Sequence, residues 1–415
     1  MRSGPSPEGL VQMTVTESGV DYGPAAERLR DEVRQWLEAS APASLVGVTV
    51  PRRAEGQLAA DLRDWTDQLA AAGLVCVSWP REFGGRGATA VEVAVIEEEF
   101  RRARVPRMTR GMGESLVGPS IIVHGTDEQR AYFLPRIVAG TDRYCQGFSE
   151  PGAGSDLASL TTRGTVDGDE IVVTGQKVWT SWYWDATMLF CLCRTDPAAP
   201  RHQGLTYALL PLAAPGGGAN GIEFRPIRQL TGQSHFAETF LDGARAPLFN
   251  VIGGVDNGWR VAMTTLGNER GGRAATRPAM LGEQFWNLVA EARRRGKAGD
   301  PLVRQLLASA YTQVEIMRIQ AMELLSSLSA GTDPGRGAAA SLHKVMWTEY
   351  QQRLAEQVMD LLGPASVIVG PDYELDGWQQ TFLTSRSDTI WGGTAEIQRN
   401  IIGERILGLP REPRA

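Results

Sequence analysis

The sequence predicts an α+β protein in three parts: an N-terminal helical domain, a central antiparallel β-barrel-like domain and a C-terminal four-helix bundle. Three observations carry this reading. Apolar residues recur at helical spacing from 23 to 142, at a period of two from 143 to 253, and at helical spacing again from 254 to 410. Gly/Pro turns cut the middle part into short runs. The first 22 residues, rich in Gly, Ser, Pro, Glu and Thr, read as a disordered tail, and 411–415 as a short second tail.

In the first part, "AAERLRDEVRQWLEA" sets Leu29, Val33 and Leu37 at i, i+4, i+8, an apolar stripe on one helix. "AADLRDWTDQLAAAGL" repeats it, and the turn-rich "WPREFGGRGAT" leads into "AVEVAVIEEEFRRA". In "GTDEQRAYFLPRIVAG", Thr126 is placed to cap a helix with Glu128 in its first turn. The middle part opens with "TTRGTVDGDEIVVTGQKVWTS", which alternates around Asp167-Gly168-Asp169, a hairpin signal. "ATMLFCLCRTD", "GLTYALLPL", "GIEFRPI" and "HFAETFLDGARAP" are further strands. From Asn257 to Leu407 about four long helices read as a bundle.

The bulk chemistry excludes several classes. A length of 415 residues suffices for a large core, with hydrophobic and charged fractions of 42% and 22% typical of globular proteins. A net charge of −6 argues against nucleic-acid binding. No apolar run approaches the ~20 residues that span a bilayer, and no signal-peptide pattern opens the chain, so a cytoplasmic protein is expected. Cys76, Cys145, Cys191 and Cys193 read as reduced core thiols. Their spacing, and the scatter of the four histidines, suggest no metal site. No strand–GxGxxG–helix unit is present, so a nicotinamide Rossmann site is not supported.

Three segments invite chemistry. In "YCQGFSEPGAGSDLASLTT", Pro151, Gly152 and Gly154 make a tight turn flanked by Ser149, Ser155 and Asp156. Such a loop suits the polar edge of a heterocycle or a phosphate-bearing arm; a plain surface turn is the alternative. In "GQKVWTS", Trp179 and Ser181 share one strand face, with Thr180 on the other. The indole either stacks on a ring or packs in a core. In "SDTIWGGTAEIQRN", Gly392-Gly393-Thr394 opens a helix whose free N–H groups favour an anion, with Thr394 also a simple N-cap.

Together "FSEPGAGSD", "GQKVWTS", "WPREFGG" and "IWGGTAEIQRNIIGERILGLPRE", in this order, resemble the signatures of the acyl-CoA dehydrogenase family across roughly residues 24–410. The resemblance implies FAD bound between the β-domain and the bundle. It implies that Phe148, Ser149, Trp179 and Ser181 line the isoalloxazine ring, and that Thr394 and Glu396 hold the diphosphate arm. Arg295 would reach a neighbouring subunit's FAD. Ser155 matches a position near the CoA arm, and Trp391 and Gly392 border the substrate.

The implied reaction removes an α-proton from an acyl thioester while hydride leaves Cβ for flavin N5, so a base is needed. Most members carry a glutamate where this chain has Gly392, which cannot accept a proton. One branch supplies it from a bundle helix, here "GWRVAMTTLGNERGGRAA". Trp259, Met263, Leu266 and Arg270 mark the expected inward stripe, and Glu269 borders it at the branch's base position. A surface pair of Glu269 with Arg273 at i, i+4 is the plainer reading. Arg270 is expected to shape the pocket or bind the CoA arm.

Departures from the family pattern bear on assembly. Ala298 stands where the best-known members have Phe, and Asp360 and Gly363-Pro364 replace residues that grip the adenosine half of FAD. The "LLGPA" form occurs in a bacterial branch with heteromeric enzymes, so a homodimer, a homotetramer and an α2β2 pair with a paralogous chain are all expected possibilities. The implied partners are acyl-CoA and an electron-transfer flavoprotein. The other readings are an acyl-carrier-protein-linked dehydrogenase of secondary metabolism, a flavin monooxygenase of the same fold, and a non-catalytic subunit.

Overall fold

The structure is a computed structural model. It describes the backbone of residues 14–16, 19–51, 53–214, 216–271, 277–329 and 336–411, and the side chains of 22–51, 53–214, 216–268, 277–324 and 340–411. Thr14–Thr16 (β1) and Gly19–Asp21 (β2) pair antiparallel, with Val15 opposite Val20. Tyr22 is buried and its hydroxyl donates to Glu98 at 2.7 Å.

Five helices follow: α1 (Pro24–Ser40), α2 (Gly56–Ala71), α3 (Ala90–Ala103), α4 (Gly118–His124) and α5 (Asp127–Val138). The stripe read in the sequence faces inward, since Val33 and Leu37 are buried and Leu29 packs against the core they join. On α2, Trp65 is buried and stacks on Trp36 of α1 at 5.4 Å. Thr89 and Thr126 cap α3 and α5 in reciprocal boxes with Glu92 and Gln129. Buried Glu99 of α3 receives Arg30, Arg34 and Arg102, which ties α1 to α3.

The middle part is one mixed sheet of β3 (Tyr144–Gly147), β4 (Arg163–Asp167), β5 (Glu170–Ser181), β6 (Met188–Arg194), β7 (Leu205–Pro211), β8 (Ile222–Ile227), β9 (Phe236–Pro247) and β10 (Val251–Ile252). Its order is β10-β7-β6-β4-β5-β9-β8, with β3 added beside β6. Most pairs are antiparallel, but β3 runs parallel to β6. The turn at Gly168-Asp169 joins β4 to β5 with Asp167 opposite Glu170, as the sequence predicts.

Strands β6 and β7 are buried on both faces, which their unbroken apolar runs anticipate. Phe190, Leu192, Tyr207 and Leu209 face the helical layer. Cys191, Cys193, Ala208 and Leu210 face Ile171, Val173, Leu241 and Ala244 of β5 and β9 across a second core. The sheet therefore curls over on itself.

The last part holds α6 (Gly258–Gly271), α7 (Arg277–Arg294), α8 (Pro301–Ser329), α9 (Arg336–Leu362), α10 (Gly377–Asp388) and α11 (Ala395–Ile401). Leu281, Phe285 and Leu288 of α7 pack with Val314 and Met317 of α8 and Leu354 and Val358 of α9. Helix α6 packs Trp259 and Leu266 of the expected stripe against the main core and buries a row of small residues beside them. Gly258, Val261, Ala262 and Thr265 are buried, whereas Met263 is exposed and Trp259 half-buried against His202. A Cβ at Gly258 would collide with the backbone of Tyr207, so small residues let α6 approach β7 closely. Ser120 and His124 of α4 bond Thr265 and Thr264 of α6, each at 2.7 Å.

Candidate active site

The Gly/Pro loop after β3 is fastened to β5 by a buried ion pair. Lys177 is fully buried on β5, and its ammonium donates to Glu150 Oε1 at 2.9 Å and to the Phe148 carbonyl at 3.1 Å. Glu150 also accepts from the Thr161 and Thr162 amides, both at 2.8 Å. Burial alone would raise the Glu150 pKa, but the Lys177 charge and the threonine hydrogen bonds outweigh it and hold it at about 2. The Val178 amide donates to the Ser149 carbonyl at 2.9 Å, so loop and strand run side by side. Neither Glu150 nor Lys177 stood out in the sequence. The signal was there: a lysine inside a strand bounded by buried positions must find an anion.

Next to this pair, Trp179 occupies a bulge in the β5–β9 ladder with φ +62°, and the residue is 56% exposed. Thr180 points the other way, buried, bonding Thr239 at 2.7 Å. Ser149 and Ser181 are half-buried nearby. A left-handed tryptophan that leaves its indole uncovered beside two hydroxyls offers a flat apolar face with a polar rim. These residues fit the flavin that the resemblance implies. Phe148 does not join them as a lining side chain. Its ring is in the main core, edge-on to Phe190 at 5.5 Å and Tyr207 at 5.9 Å, because β3 continues its inward alternation through that residue. Only its backbone remains available to a ligand.

The glycine turn of the bundle comes to the same place. The Trp391 ring lies 5.9 Å from Phe236, which is 6.0 Å and edge-on from Trp179, so an aromatic chain links bundle to sheet. Gly392 and Gly393 take φ +64° and +92°. Lys344 of α9 donates to the carbonyls of Asp388 and Gly393 at 3.0 and 2.7 Å, clamping the turn at both ends. Gln398 donates to the Gly392 carbonyl at 3.2 Å. Thr394 caps α11 by accepting from the Ile397 amide at 3.3 Å. Glu396 is exposed, and its own backbone amide, then the Thr394 hydroxyl, lower its pKa.

Other expected residues sit apart. Ser155 is exposed on the loop beside Asp156, which pairs with Arg201. Arg295, at the end of α7, pairs with Glu291 and donates to the Leu362 carbonyl at 3.3 Å within its own chain. Glu269 and Arg270 belong to the backbone of α6, but their side chains lie outside the described residues. Position 269 follows Thr265 by four residues and Ala262 by seven, in register with the buried face.

The chain matches three family models in succession: acyl-CoA dehydrogenase N-terminal domain over residues 23–141, middle domain over 145–243 and C-terminal domain over 256–407. It is 43% identical over 389 residues to the acyl-CoA dehydrogenase IpdE1 of Mycobacterium tuberculosis, covering 93% of this chain and 98% of that one. Among solved structures it is similar to the Tcur3481-Tcur3483 steroid ACAD, with TM-score 0.77, 30% identity, and 94% and 99% of the two chains covered. The ChsE4-ChsE5 complex from Mycobacterium tuberculosis matches at TM-score 0.77 and 32% identity over 94% and 99%.

Proposed function

The chain belongs to the acyl-CoA dehydrogenase family, and we propose that it oxidises a bulky, steroid-derived acyl-CoA at its α and β carbons with Glu269 as the base. FAD is the cofactor of this family, and when bound it supplies the acceptor for the β-hydride. The single observation that carries the assignment of the base is the neighbourhood of the glycine turn. Position 392 has no side chain to take a proton. Arg277, which begins α7 just past the end of α6, is close enough to act electrostatically on Asp388 at the head of that turn. Position 269 lies eight residues before Arg277 in the chain, which supports looking to α6 for the carboxylate that the turn lacks.

In this reading Trp179 presents its indole to the cofactor ring, and the Ser149 and Ser181 hydroxyls bond its polar edge. Thr394 and Glu396 stand at the diphosphate arm, and Arg295 acts at a subunit boundary. Ser155 and Arg270 face the CoA arm, and Trp391 and Gly392 border the acyl group. The α C–H of a thioester is a very weak acid, so Glu269 must act on it where water is excluded. The steroid class rests on the similarity to the Tcur3481-Tcur3483 steroid ACAD, and assembly with a second, paralogous chain on the similarity to the ChsE4-ChsE5 complex. An electron-transfer flavoprotein takes up the electrons.

Anaerobic titration of the purified protein tests this. Steroid-derived acyl-CoAs with intact or opened rings should bleach the flavin absorbance, and straight-chain acyl-CoAs should do so weakly. Equal bleaching by short straight chains would overturn the substrate class. A colourless protein that takes up no FAD, alone or with its paralogue, would overturn the enzymatic reading.

A further inference from the structure

Helix α6 is bound to α4 by two hydrogen bonds that have no role in the reading above. Ser120 and His124 stand four residues apart, on one face of α4. The Ser120 hydroxyl meets that of Thr265 at 2.7 Å, with both residues fully buried. His124 Nε2 meets the Thr264 hydroxyl, also at 2.7 Å. The buried hydroxyl pair has three contacts for two protons, since Ser120 lies 2.8 Å from the Leu116 carbonyl and Thr265 3.2 Å from the Val261 carbonyl. The two shortest contacts use both protons, so Thr265 donates to Ser120 and Ser120 donates to Leu116. Leu116 belongs to a single π-turn, Gly113–Val117, that leads into α4. That turn is held in its own right. The Trp79 indole N–H donates to the Glu114 carbonyl at 3.0 Å, and Gly118 sits so close to the Trp79 ring that a Cβ would overlap it. Helix α4 is therefore a fixed rail against which α6 is set.

We propose that Ser120 and His124 are positioning residues for the base helix, holding α6 in the rotation that carries Glu269 to the α-proton of the substrate. This rests on the reading of Glu269 as the base. Gly258 seats the start of α6 on β7, and the threonine bonds hold the helix again seven residues later, one turn before position 269. Successive residues of a helix point about 100° apart, so bonds to both Thr264 and Thr265 fix rotation as well as height. The apolar face beside them, Gly258, Val261 and Ala262, is small and smooth, and shape alone resists rotation weakly. Hydrogen bonds are directional and resist it. A side-chain tip stands about 5–6 Å from its helix axis, so a rotation of about 10° moves it by about 1 Å. Misplacement of a catalytic group by about 1 Å lowers a rate on the order of a hundredfold.

The test uses the full chain loaded with FAD and two variants that strand no buried donor. In Thr265→Val the Ser120 hydroxyl keeps the Leu116 carbonyl, and in Ser120→Ala the Thr265 hydroxyl turns to the Val261 carbonyl. Amide hydrogen exchange over 264–271 should quicken about tenfold in both. The acyl-CoA that bleaches the wild-type flavin fastest should reduce it about 10–100-fold more slowly, with its Kd and the FAD retained changed less than about twofold. Its 3-thia analogue has an α-proton but no β-hydride to give, so it reports the base alone. Uptake of α-deuterium from D2O into that analogue should slow by the same factor. Thr265→Ser keeps the hydroxyl and should restore both rates, and Ser120→Ala should add nothing in the Thr265→Val background. Thr264→Val, which breaks the His124 bond at a half-buried position, gives the same readouts if a buried variant does not fold. Wild-type reduction and exchange rates in Thr265→Val, with Glu269→Gln silent, overturn the proposal, as does a rate loss matched by equal loss of acyl-CoA affinity. Failure of the functional reading shows separately, as wild-type deuterium uptake in Glu269→Gln. That result overturns the proposal along with the reading, while the quickened amide exchange on α6 remains.

Discussion

Lys177 and Glu150 show how one buried pair shapes a loop that composition alone reads as a surface turn. Glu150→Gln would leave the Lys177 ammonium buried without its counter-charge, with an expected loss of about 3–5 kcal/mol. The joint change Glu150→Leu with Lys177→Met should cost much less, and denaturant midpoints for the three variants check this. Two carboxyls at the site should respond to pH with opposite signs. Glu150 titrates at about 2 in the fold, so its contribution is present above the ordinary value of 4.5 and is lost as pH falls toward 2. Asp388 titrates at about 6 instead of 3.8, so its contribution is full below 3.8 and is lost as pH rises through 6. Melting temperatures of wild type and Asp388→Asn should therefore shift in the variant's favour between pH 4 and 7. A gap independent of pH would contradict the burial of that carboxyl. At this scale the sequence marked Trp179, Ser149 and Thr394 through local motifs. It did not show that the Phe148 ring is buried, and it overlooked Asp388, because the burial of one side chain is decided by what packs on it from distant segments.

Elements were more legible than residues. Strands β6 and β7 announced burial on both faces by their unbroken apolar runs, and the caps at Thr89 and Thr126 follow from local hydrogen bonding. Helix α6 was harder. Of the large residues at helical spacing, Trp259 and Leu266 pack against the core but Met263 is left exposed, because the contact with β7 runs through the small face at Gly258. The glycine turn is where element geometry becomes function. At Gly393, φ is +92°, and an added Cβ would collide with the Gln398 amide that holds the Gly392 carbonyl. Gly393→Ala should cost about 1–2 kcal/mol from the left-handed backbone alone. It should also lower the FAD retained through gel filtration. Undiminished retention would detach this turn from the cofactor.

For the whole molecule, the order of textures along the chain (helical, period two, helical) foretold the three-part architecture, because periodicity reports which faces must be covered. The curl of the sheet and the α6 contact depend on pairings between distant strands and stayed out of reach. Among the described residues, no helix is long and apolar enough to cross a membrane. Leu302, Val367 and Ile368 nonetheless stand at least 70% exposed on the bundle part. Such apolar surface suits a subunit contact, so light scattering should find an oligomer, alone or with the paralogue. Val367→Asp with Ile368→Asp should raise the monomer fraction, and a wild-type monomer that retains FAD would contradict the assembly. The central claim is that α6, not the glycine turn, supplies the base. Glu269→Gln keeps shape and hydrogen bonding but removes proton acceptance, so stopped-flow reduction of its flavin by the true acyl-CoA should slow by about 10²–10⁴-fold with FAD still bound. Reduction at the wild-type rate would contradict the claim.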